Sequence, residues 1–171
     1  MKLLGKHRFT KTKSEEIAYF GAGCFWGVES AFRSFKGVKE TRVGYMGGTL
    51  ENPTYEAVCT GTTGHAEVLE VTFDPDVISF RMLVAQFWRL HDPTTLNRQG
   101  PDIGSQYRSA IFTTTPEQLK DAQTAMQLAQ RSGRYSQPIV TQVQEAPVFY
   151  PAEEYHQQYF ERRGINPTCH V

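Results

Sequence analysis

Cys24 is the residue of this sequence whose position most favours chemical reactivity. It follows an apolar segment and the turn Gly21–Gly23, and a helical pattern begins at it, with Phe25, Val28 and Phe32 at helical spacing. The unpaired N–H groups and partial positive charge at a helix N-terminus stabilise a thiolate, the nucleophilic form of cysteine. The pattern therefore predicts that Cys24 is a nucleophile and not an inert buried thiol, which most single cysteines are.

Glu67 is the second residue whose position is chemically informative. The segment Ala66–Phe73 is rich in β-branched and apolar residues, and strand alternation would place Glu67 on one face with Leu69 and Val71. Burial on an apolar face raises the pKa of a carboxyl group and lets it hold a proton near neutral pH, as a general acid must. The alternative is that Glu67 lies at the end of the strand, where its carboxylate is exposed to solvent. Glu70, on the opposite face, is expected to be solvated.

Several aromatic and polar side chains near these positions are weaker candidates. Phe25 fits the inward stripe of the helix, whereas Trp26 lies off that stripe and is equally well placed to wall a small apolar pocket. Tyr55, beside a short helical segment, and Tyr107, at the mouth of a strand, could each direct a phenol into a cleft. Asp102 lies in a polar turn of the kind that an aspartate often caps.

The cysteine and histidine patterns argue against a structural disulfide framework and against a metal site. The three cysteines, Cys24, Cys59 and Cys169, are odd in number and widely spaced, and they form no C-x-x-C pair. The five histidines show no H-x-x-x-H spacing. We therefore expect no metal and no cofactor, and thiols that are either inert or engaged in redox chemistry.

Length and charge indicate one domain of an ordinary soluble protein. With 18 basic and 18 acidic side chains, the 171-residue chain has no global field that would attract nucleic acid or an anionic membrane. No apolar run approaches the roughly 20 residues of a membrane-spanning helix, and there is no signal-peptide core. We expect a single catalytic domain over residues 1–171, with a basic N-terminal tail at 1–16 and a C-terminal tail at 164–171, acting as a monomer in the cytoplasm.

Strand-like and helical segments alternate along the chain, with loops and possible hairpins between them. The clearest helices are expected at 79–91 and 115–133, where Ser79 and Thr115 are good caps. A strand is expected over Tyr107–Thr113 and a last helix over Ala152–Arg163. This pattern suits helices packed on a mixed sheet. The expected fold is of the α+β class: a two-layer α/β sandwich in a ferredoxin-like arrangement, with long irregular loops and a mobile C-terminal tail.

Five sequence blocks resemble, in the same order, those of a known family. Gly23-Cys24-Phe25-Trp26-Gly27 is similar to the signature pentapeptide of A-type peptide methionine sulfoxide reductases. The other four blocks are VGYMGG at 43–48, PTYEAVC at 53–59, GHAE at 64–67 and DIGSQYRS at 102–109. The resemblance extends from about Tyr19 to about Tyr159, nearly the whole chain, and five blocks in order are far more specific than one pentapeptide.

The resemblance implies reduction of the S epimer of methionine sulfoxide, free or in proteins. It implies that the Cys24 thiolate attacks the sulfoxide sulfur and that Glu67 protonates the oxygen, with hydrogen bonds from the hydroxyls of Tyr55 and Tyr107. Sulfoxide oxygen is a poor leaving group unless it is protonated or strongly hydrogen-bonded. A neutral acid and two phenols suit this need without placing an anion beside the thiolate.

The resemblance also assigns the side chains around the thiol. Phe25 and Trp26 would hold the methyl group of the substrate, and Asp102 would help to orient the polar network. Met46 departs from the family pattern, which usually has a small residue at this position. We expect it either to crowd the cleft or to line it.

The reaction would leave Cys24 as a sulfenic acid, which a second thiol condenses to a disulfide. Cys169, on a tail free to swing, is the best candidate for this resolving thiol, and thioredoxin would reduce the disulfide. The tail has one cysteine, whereas some members have two. Cys59 is expected to be a buried bystander, although it could trap the sulfenic acid if Cys169 cannot reach it.

Two other functions remain possible at this point. A thiol peroxidase also passes through a sulfenic acid, but it needs a cation near the thiolate, which Glu67 and two tyrosines do not provide. A non-enzymatic module could bind methionine-containing peptides through Phe25 and Trp26 and would need no thiol. Neither function explains a thiol at a helix start together with an inward carboxyl group.

Overall fold

The computed structural model describes residues 14–166. Its strands are β1 (Glu16–Ala22), β2 (Val38–Met46), β3 (Ala66–Phe73), β4 (Arg98–Gln99), β5 (Asp102–Ile103), β6 (Ser109–Thr113), β7 (Gln142–Glu145) and β8 (Tyr150–Pro151). Its helices are α1 (Phe25–Arg33), α2 (Tyr55–Cys59), α3 (Phe80–Leu90), α4 (Pro116–Arg131) and α5 (Tyr159–Arg163), with 3₁₀ turns at Ser105–Tyr107 and Glu154–His156. Within the described residues, no helix is both long and apolar enough to cross a membrane.

The central sheet has the strand order β7-β6-β1-β3-β2-β8. Its four middle strands are antiparallel neighbours, β7 runs parallel to β6, and β8 runs antiparallel to β2. With α1 after β1 and α3 after β3, the middle strands follow the β-α-β-β-α-β order of the ferredoxin-like motif. The expected α+β sandwich on a mixed sheet is therefore confirmed.

The helices pack on the face of the sheet that carries Glu67. Phe32 of α1 and Phe87 of α3 meet Phe20 of β1, with ring centroids 5.0 Å and 5.5 Å apart. Leu69, from the same face of β3 as Glu67, is fully buried in this core. The alternation predicted for β3 is thus confirmed, and it directs the Glu67 carboxyl group toward the helices.

The opposite face of the sheet is also covered, so the expectation of a solvated Glu70 is wrong. Its buried carboxylate accepts a hydrogen bond from the Tyr19 hydroxyl (3.0 Å) and forms an ion pair with Arg42 (2.7 Å). Phe149 covers this group, 5.3 Å from the Tyr19 ring and 5.3 Å from the Arg42 guanidinium carbon. The expectation failed because the segment before β8 folds over a face that strand alternation alone leaves open.

The single helix expected over Ala152–Arg163 is also wrong. The segment is broken at Gln158, whose backbone is left-handed (φ 50°, ψ 47°). The Gln158 N–H donates to the buried carboxylate of Glu29, and the Gln157 side chain bonds both the N–H and the C=O of Val43 at 2.9 Å. These bonds outweigh helical propensity because they satisfy a buried carboxylate and backbone groups at the edge of β2.

The two longest described helices, α3 and α4, begin directly after the residues that were predicted to cap them. Ser79 Oγ accepts a hydrogen bond from the Met82 N–H at the start of α3 (3.1 Å). Thr115 Oγ1 accepts from the Gln118 N–H at the start of α4, also at 3.1 Å. Local signals were sufficient here because each cap uses atoms only three residues away.

Candidate active site

Cys24 lies in the short connection between β1 and α1. Gly23 precedes it with a φ of 91°, a left-handed conformation that glycine adopts without steric cost. Cys24 occupies the N-cap position of α1, which begins at Phe25, so the predicted helix start is confirmed. The first N–H groups of the helix favour negative charge at its N-terminus. This position suits a nucleophilic thiolate, and the half-buried thiol opens into a groove.

Glu67 lies against the start of the same helix. One of its carboxyl oxygens accepts a hydrogen bond from the Phe25 N–H at 3.2 Å, and the residue is 2% exposed. Burial raises the pKa of Glu67 to about 8; the Phe25 hydrogen bond opposes this shift and the charge of Asp102 adds to it. The carboxyl group is therefore largely protonated at neutral pH and is available as a proton donor.

Two phenols complete the polar side of the site. Tyr55 is the first residue of α2, and Tyr107 ends the 3₁₀ turn before β6, so that strand starts at Ser109 and not at Tyr107 as expected. Burial raises the pKa of both hydroxyls; a bond to the Cys59 side chain adds to the shift for Tyr55, and the charge of Glu67 adds to both. Both phenols therefore stay protonated and can donate hydrogen bonds.

Trp26 lines the groove beside Cys24, whereas Phe25 packs into the core. The indole Nε1–H donates to Nδ1 of His156 at 3.0 Å, and the indole stacks on Tyr159 with centroids 3.7 Å apart and planes 7° from parallel. Phe25 is buried, with its ring centroid 5.3 Å from that of His156. Trp26 is thus held in one orientation by a hydrogen bond and a stacked ring.

The segment after β8 supplies two residues of the site that sequence reasoning missed. Glu153 accepts hydrogen bonds from the Tyr45 hydroxyl (2.9 Å) and from the Tyr55 N–H (3.0 Å), and so fixes the start of α2. Burial lowers the pKa of His156 and keeps its ring a neutral acceptor for Trp26. Neither residue was predicted, because the sequence of this segment was interpreted as one continuous helix. The one available signal was its unusual concentration of polar and aromatic side chains.

The positions of four other residues considered in the sequence analysis can be compared with what was expected of them. Asp102, in β5, lines the groove beside Cys24. Cys59 is exposed, so the expectation that it is buried is wrong. Met46 neither crowds nor lines the cleft, because it packs in the apolar cluster on the opposite face of the sheet. Cys169 lies outside the described residues.

The groove at Cys24 has a volume of about 930 Å³. This is near the upper end of the range for pockets that hold drug-sized ligands, so it exceeds the needs of a single amino acid. No cluster of three or more His, Cys, Asp or Glu side chains in residues 14–166 could hold a metal ion. A thiol, a neutral carboxyl group, two phenols and an aromatic wall together suit nucleophilic attack on a neutral, polar group that carries an apolar substituent.

Residues 16–171 match the family described as peptide methionine sulfoxide reductase. The chain belongs to this family. Over 152 residues it is 62% identical to the peptide methionine sulfoxide reductase MsrA of Methanoculleus marisnigri, and the match covers 89% of this chain and 93% of that protein. The A-type reductase predicted from the five sequence blocks is confirmed, and the chain is an enzyme of this class. This membership favours the reductase over the thiol peroxidase and over the non-enzymatic module.

Two crystal structures of Mxr1 from Saccharomyces cerevisiae share the fold of this reductase. The reduced form is 36% identical with a TM-score of 0.86, and the match covers 92% of each chain. Mxr1 in complex with Trx2 is 24% identical with a TM-score of 0.63, covering 99% of this chain and 98% of that one. The second likeness concerns the fold alone.

Replacing His156 with Phe in the reductase is expected to raise KM for a methionine sulfoxide peptide about fivefold to tenfold, with little change in kcat. The variant loses the acceptor of the Trp26 Nε1–H, and a hydrogen bond of this kind contributes about 1 kcal/mol. Initial rates over a range of peptide concentrations measure the effect. His156→Gln restores an acceptor and should recover most of the loss. An unchanged KM in the Phe variant would contradict an orienting role for His156.

Proposed function

We propose that this enzyme reduces the S epimer of methionine sulfoxide, in proteins and as the free amino acid, with Cys24 as nucleophile and Glu67 as general acid. One observation carries the proposal: the buried Glu67 carboxyl group, with a pKa of about 8, bonds the first N–H of the helix that Cys24 caps. A proton donor and a thiol therefore meet at one helix start. Family membership supports methionine sulfoxide as the substrate.

In the chemical step, the Cys24 thiolate attacks the sulfoxide sulfur while Glu67 gives its proton to the oxygen. Protonation allows the S–O bond to break without expelling an oxide anion. Cys24 acquires the hydroxyl group and becomes a sulfenic acid, and methionine leaves as the thioether, reduced by two electrons. The proton that Cys24 loses on ionising balances the one that Glu67 donates.

The arrangement around Cys24 supports selection of one epimer. Sulfoxide sulfur carries three different groups: the oxygen, the methyl group and the methionine chain. If the oxygen lies at Glu67 and the phenols while the methyl group lies against Trp26, the chain direction is fixed relative to the attacking thiol. The other epimer must then misplace either its oxygen or its methyl group, and it loses transition-state stabilisation.

Replacing Tyr55 or Tyr107 with Phe is expected to slow single-turnover reduction about tenfold, and the double variant about 10²- to 10³-fold. A donor to a developing oxygen charge is worth up to this amount, and the remaining phenol compensates in each single variant. Rapid-quench measurement of methionine formation tests this. Tyr135→Phe is the matched control, since Tyr135 lines the groove while its hydroxyl bonds the Trp88 carbonyl. A double variant as fast as the parent would remove the phenols from the mechanism.

After reduction, Cys169 condenses with the Cys24 sulfenic acid to form a disulfide and release water. A thioredoxin then reduces this disulfide by thiol–disulfide exchange. Mxr1 has been solved in complex with Trx2, which supports a thioredoxin as the reductant. The exposed Cys59 is the alternative resolving thiol.

The experiment that tests the proposal is single-turnover reduction of the separated S and R epimers of a methionine sulfoxide peptide, followed by intact mass. We expect turnover of S alone and a protein about 2 Da lighter than its reduced form, through a Cys24–Cys169 disulfide. The Cys169→Ser variant should turn over S once without forming that disulfide. Turnover of R would contradict the stereochemistry. If folded, reduced protein acts on neither epimer, the mechanism fails.

A further inference from the structure

A second cavity, of about 410 Å³, lies between α3 and α4, and we name it the α3–α4 slot. Apolar side chains from both helices line it, including Val84 and Trp88 of α3 and Ala125 and Leu128 of α4. Leu128 is 63% exposed. An exposed leucine beside a concave apolar surface is typical of a binding site for an apolar side chain.

The slot is also lined by three arginines and by no aspartate or glutamate. Arg81 is ion-paired with Asp121 at 2.9 Å. Arg89 and Arg134 form no ion pair with any other residue in the described part of the chain. The slot therefore combines an apolar surface with uncompensated positive charge, and this charge attracts acidic groups.

The slot is adjacent to the groove at the thiol. Arg89, Arg134 and Tyr135 line both cavities, and Cys24 lines the groove. A polypeptide that presents an oxidised methionine to Cys24 can therefore extend past these three side chains into the slot. The combined volume suits several residues and not one, which agrees with a polypeptide ligand.

The carboxylates in this region belong to the groove and not to the slot. Asp102 lines the groove beside Cys24. Asp92 also lines it, and its carboxylate accepts hydrogen bonds from the N–H (3.0 Å) and the hydroxyl (2.6 Å) of Thr94. Arg89 and Arg134 line the groove as well, but only the slot has no carboxylate in its lining, so acidic residues on the ligand are favoured at the slot.

Helix geometry sets the spacing between the two cavities. Leu90 lines the groove and Val84 lines the slot, six residues earlier on α3, which corresponds to about 9 Å along the helix axis. An extended chain covers at most about 3.3–3.6 Å per residue. A ligand residue in the slot is therefore at least about three residues from a ligand residue that lies beside Leu90 in the groove.

We propose that the α3–α4 slot binds an apolar residue flanked by acidic residues in the polypeptide that carries the methionine sulfoxide. This inference rests on the proposed function and specifies its substrate class. Methionine sulfoxide with such a segment at least about three residues away is reduced in preference to methionine sulfoxide in basic or purely polar surroundings. Free methionine sulfoxide does not reach the slot, so its reduction is independent of it.

The test compares single-turnover kcat/KM for S-epimer peptides that differ only in this segment: Glu-Leu-Glu, Lys-Leu-Lys or Glu-Ser-Glu, placed on either side of the methionine sulfoxide. For at least one placement, we expect Glu-Leu-Glu to be favoured about tenfold over Lys-Leu-Lys, with a smaller advantage over Glu-Ser-Glu. The preference over Lys-Leu-Lys should shrink as salt screens the arginines. The double variant Arg89→Glu and Arg134→Glu should reverse it.

Arg131→Glu is the matched control, because Arg131 is an exposed arginine at the end of α4 that lines neither cavity. It should leave the peptide preference unchanged. Free methionine sulfoxide should be reduced equally by parent and control, and its reduction by the double variant measures the effect that the two substitutions have on the groove itself. If that activity is absent from the parent, it is the proposed function that fails. If the parent reduces free substrate but shows no peptide preference, the slot proposal is overturned. It is also overturned if the double variant changes only the turnover driven by thioredoxin. That result would indicate that the slot binds the reductant and not the substrate.

Discussion

The variant Cys24→Ser is expected to lose single-turnover reduction of methionine sulfoxide by at least about 10⁴-fold. A serine hydroxyl is not ionised near neutral pH, and it cannot accept the substrate oxygen as a sulfenic acid does. The fold should persist, because position 24 is the N-cap of α1 and serine is a favoured residue there. Methionine formation over a single turnover measures the loss, and thermal unfolding verifies the fold.

Cys59→Ser is the matched control for this variant. It makes the same change of thiol to hydroxyl at an exposed position on α2, beside the Tyr55 hydroxyl. We expect its single-turnover rate to stay within about threefold of the parent, since a hydroxyl can still bond Tyr55. If Cys59→Ser lost as much activity as Cys24→Ser, or if Cys24→Ser kept its activity, Cys24 could not be the sole nucleophile.

The positions of Cys24 and Glu67 could be predicted from the sequence because each depends on local periodicity. A glycine turn between an apolar strand and a helical stripe is enough to place Cys24 at the N-cap of α1. Period-two alternation is enough to place Glu67 on the face that the helices cover. Neither inference requires knowledge of which segments distant in the chain meet.

Three of the features that could not be predicted depend on long-range contacts. Strand parity gives no reason for Glu70 to be buried, because its cover, Phe149, comes from a segment about 80 residues later. Gln158 breaks an apparently helical segment because Glu29, on another helix, accepts its N–H. The orientation of Trp26 is likewise decided by His156, and no local pattern of the first helix indicates that partner.

Glu67→Gln is expected to slow single-turnover reduction about 10²- to 10⁴-fold, which is the usual contribution of a positioned general acid. Gln keeps an acceptor for the Phe25 N–H but cannot donate a proton to the sulfoxide oxygen. The parent rate should fall as pH rises through about 8, the pKa of Glu67, because the acid form is lost there. The Gln variant should lack this decline, and rates measured from pH 6 to 9.5 show the difference.

The same pKa shift also makes the stability of the fold fall as pH rises. Because burial raises the Glu67 pKa from 4.5 to about 8, the folded state binds its proton more tightly than the unfolded state does. The free energy of unfolding should therefore fall as pH rises from about 4.5 to about 8, by on the order of a few kcal/mol. Glu67→Gln removes this loss, so the variant should be more stable than the parent at pH 8.5, with the difference shrinking toward pH 5.

Glu70→Gln is the matched control, since it neutralises a second buried carboxyl group on the same strand. Glu70 lies on the opposite face and pairs with Arg42, so its neutralisation should leave the single-turnover rate and its pH profile unchanged. If Glu67→Gln is slower and more stable than the parent while Glu70→Gln keeps full activity, two conclusions follow. The Glu67 carboxyl group donates the reacting proton, and burying that group lowers the stability of the fold. If Glu67→Gln were slow yet kept the decline near pH 8, another group would have to be the acid.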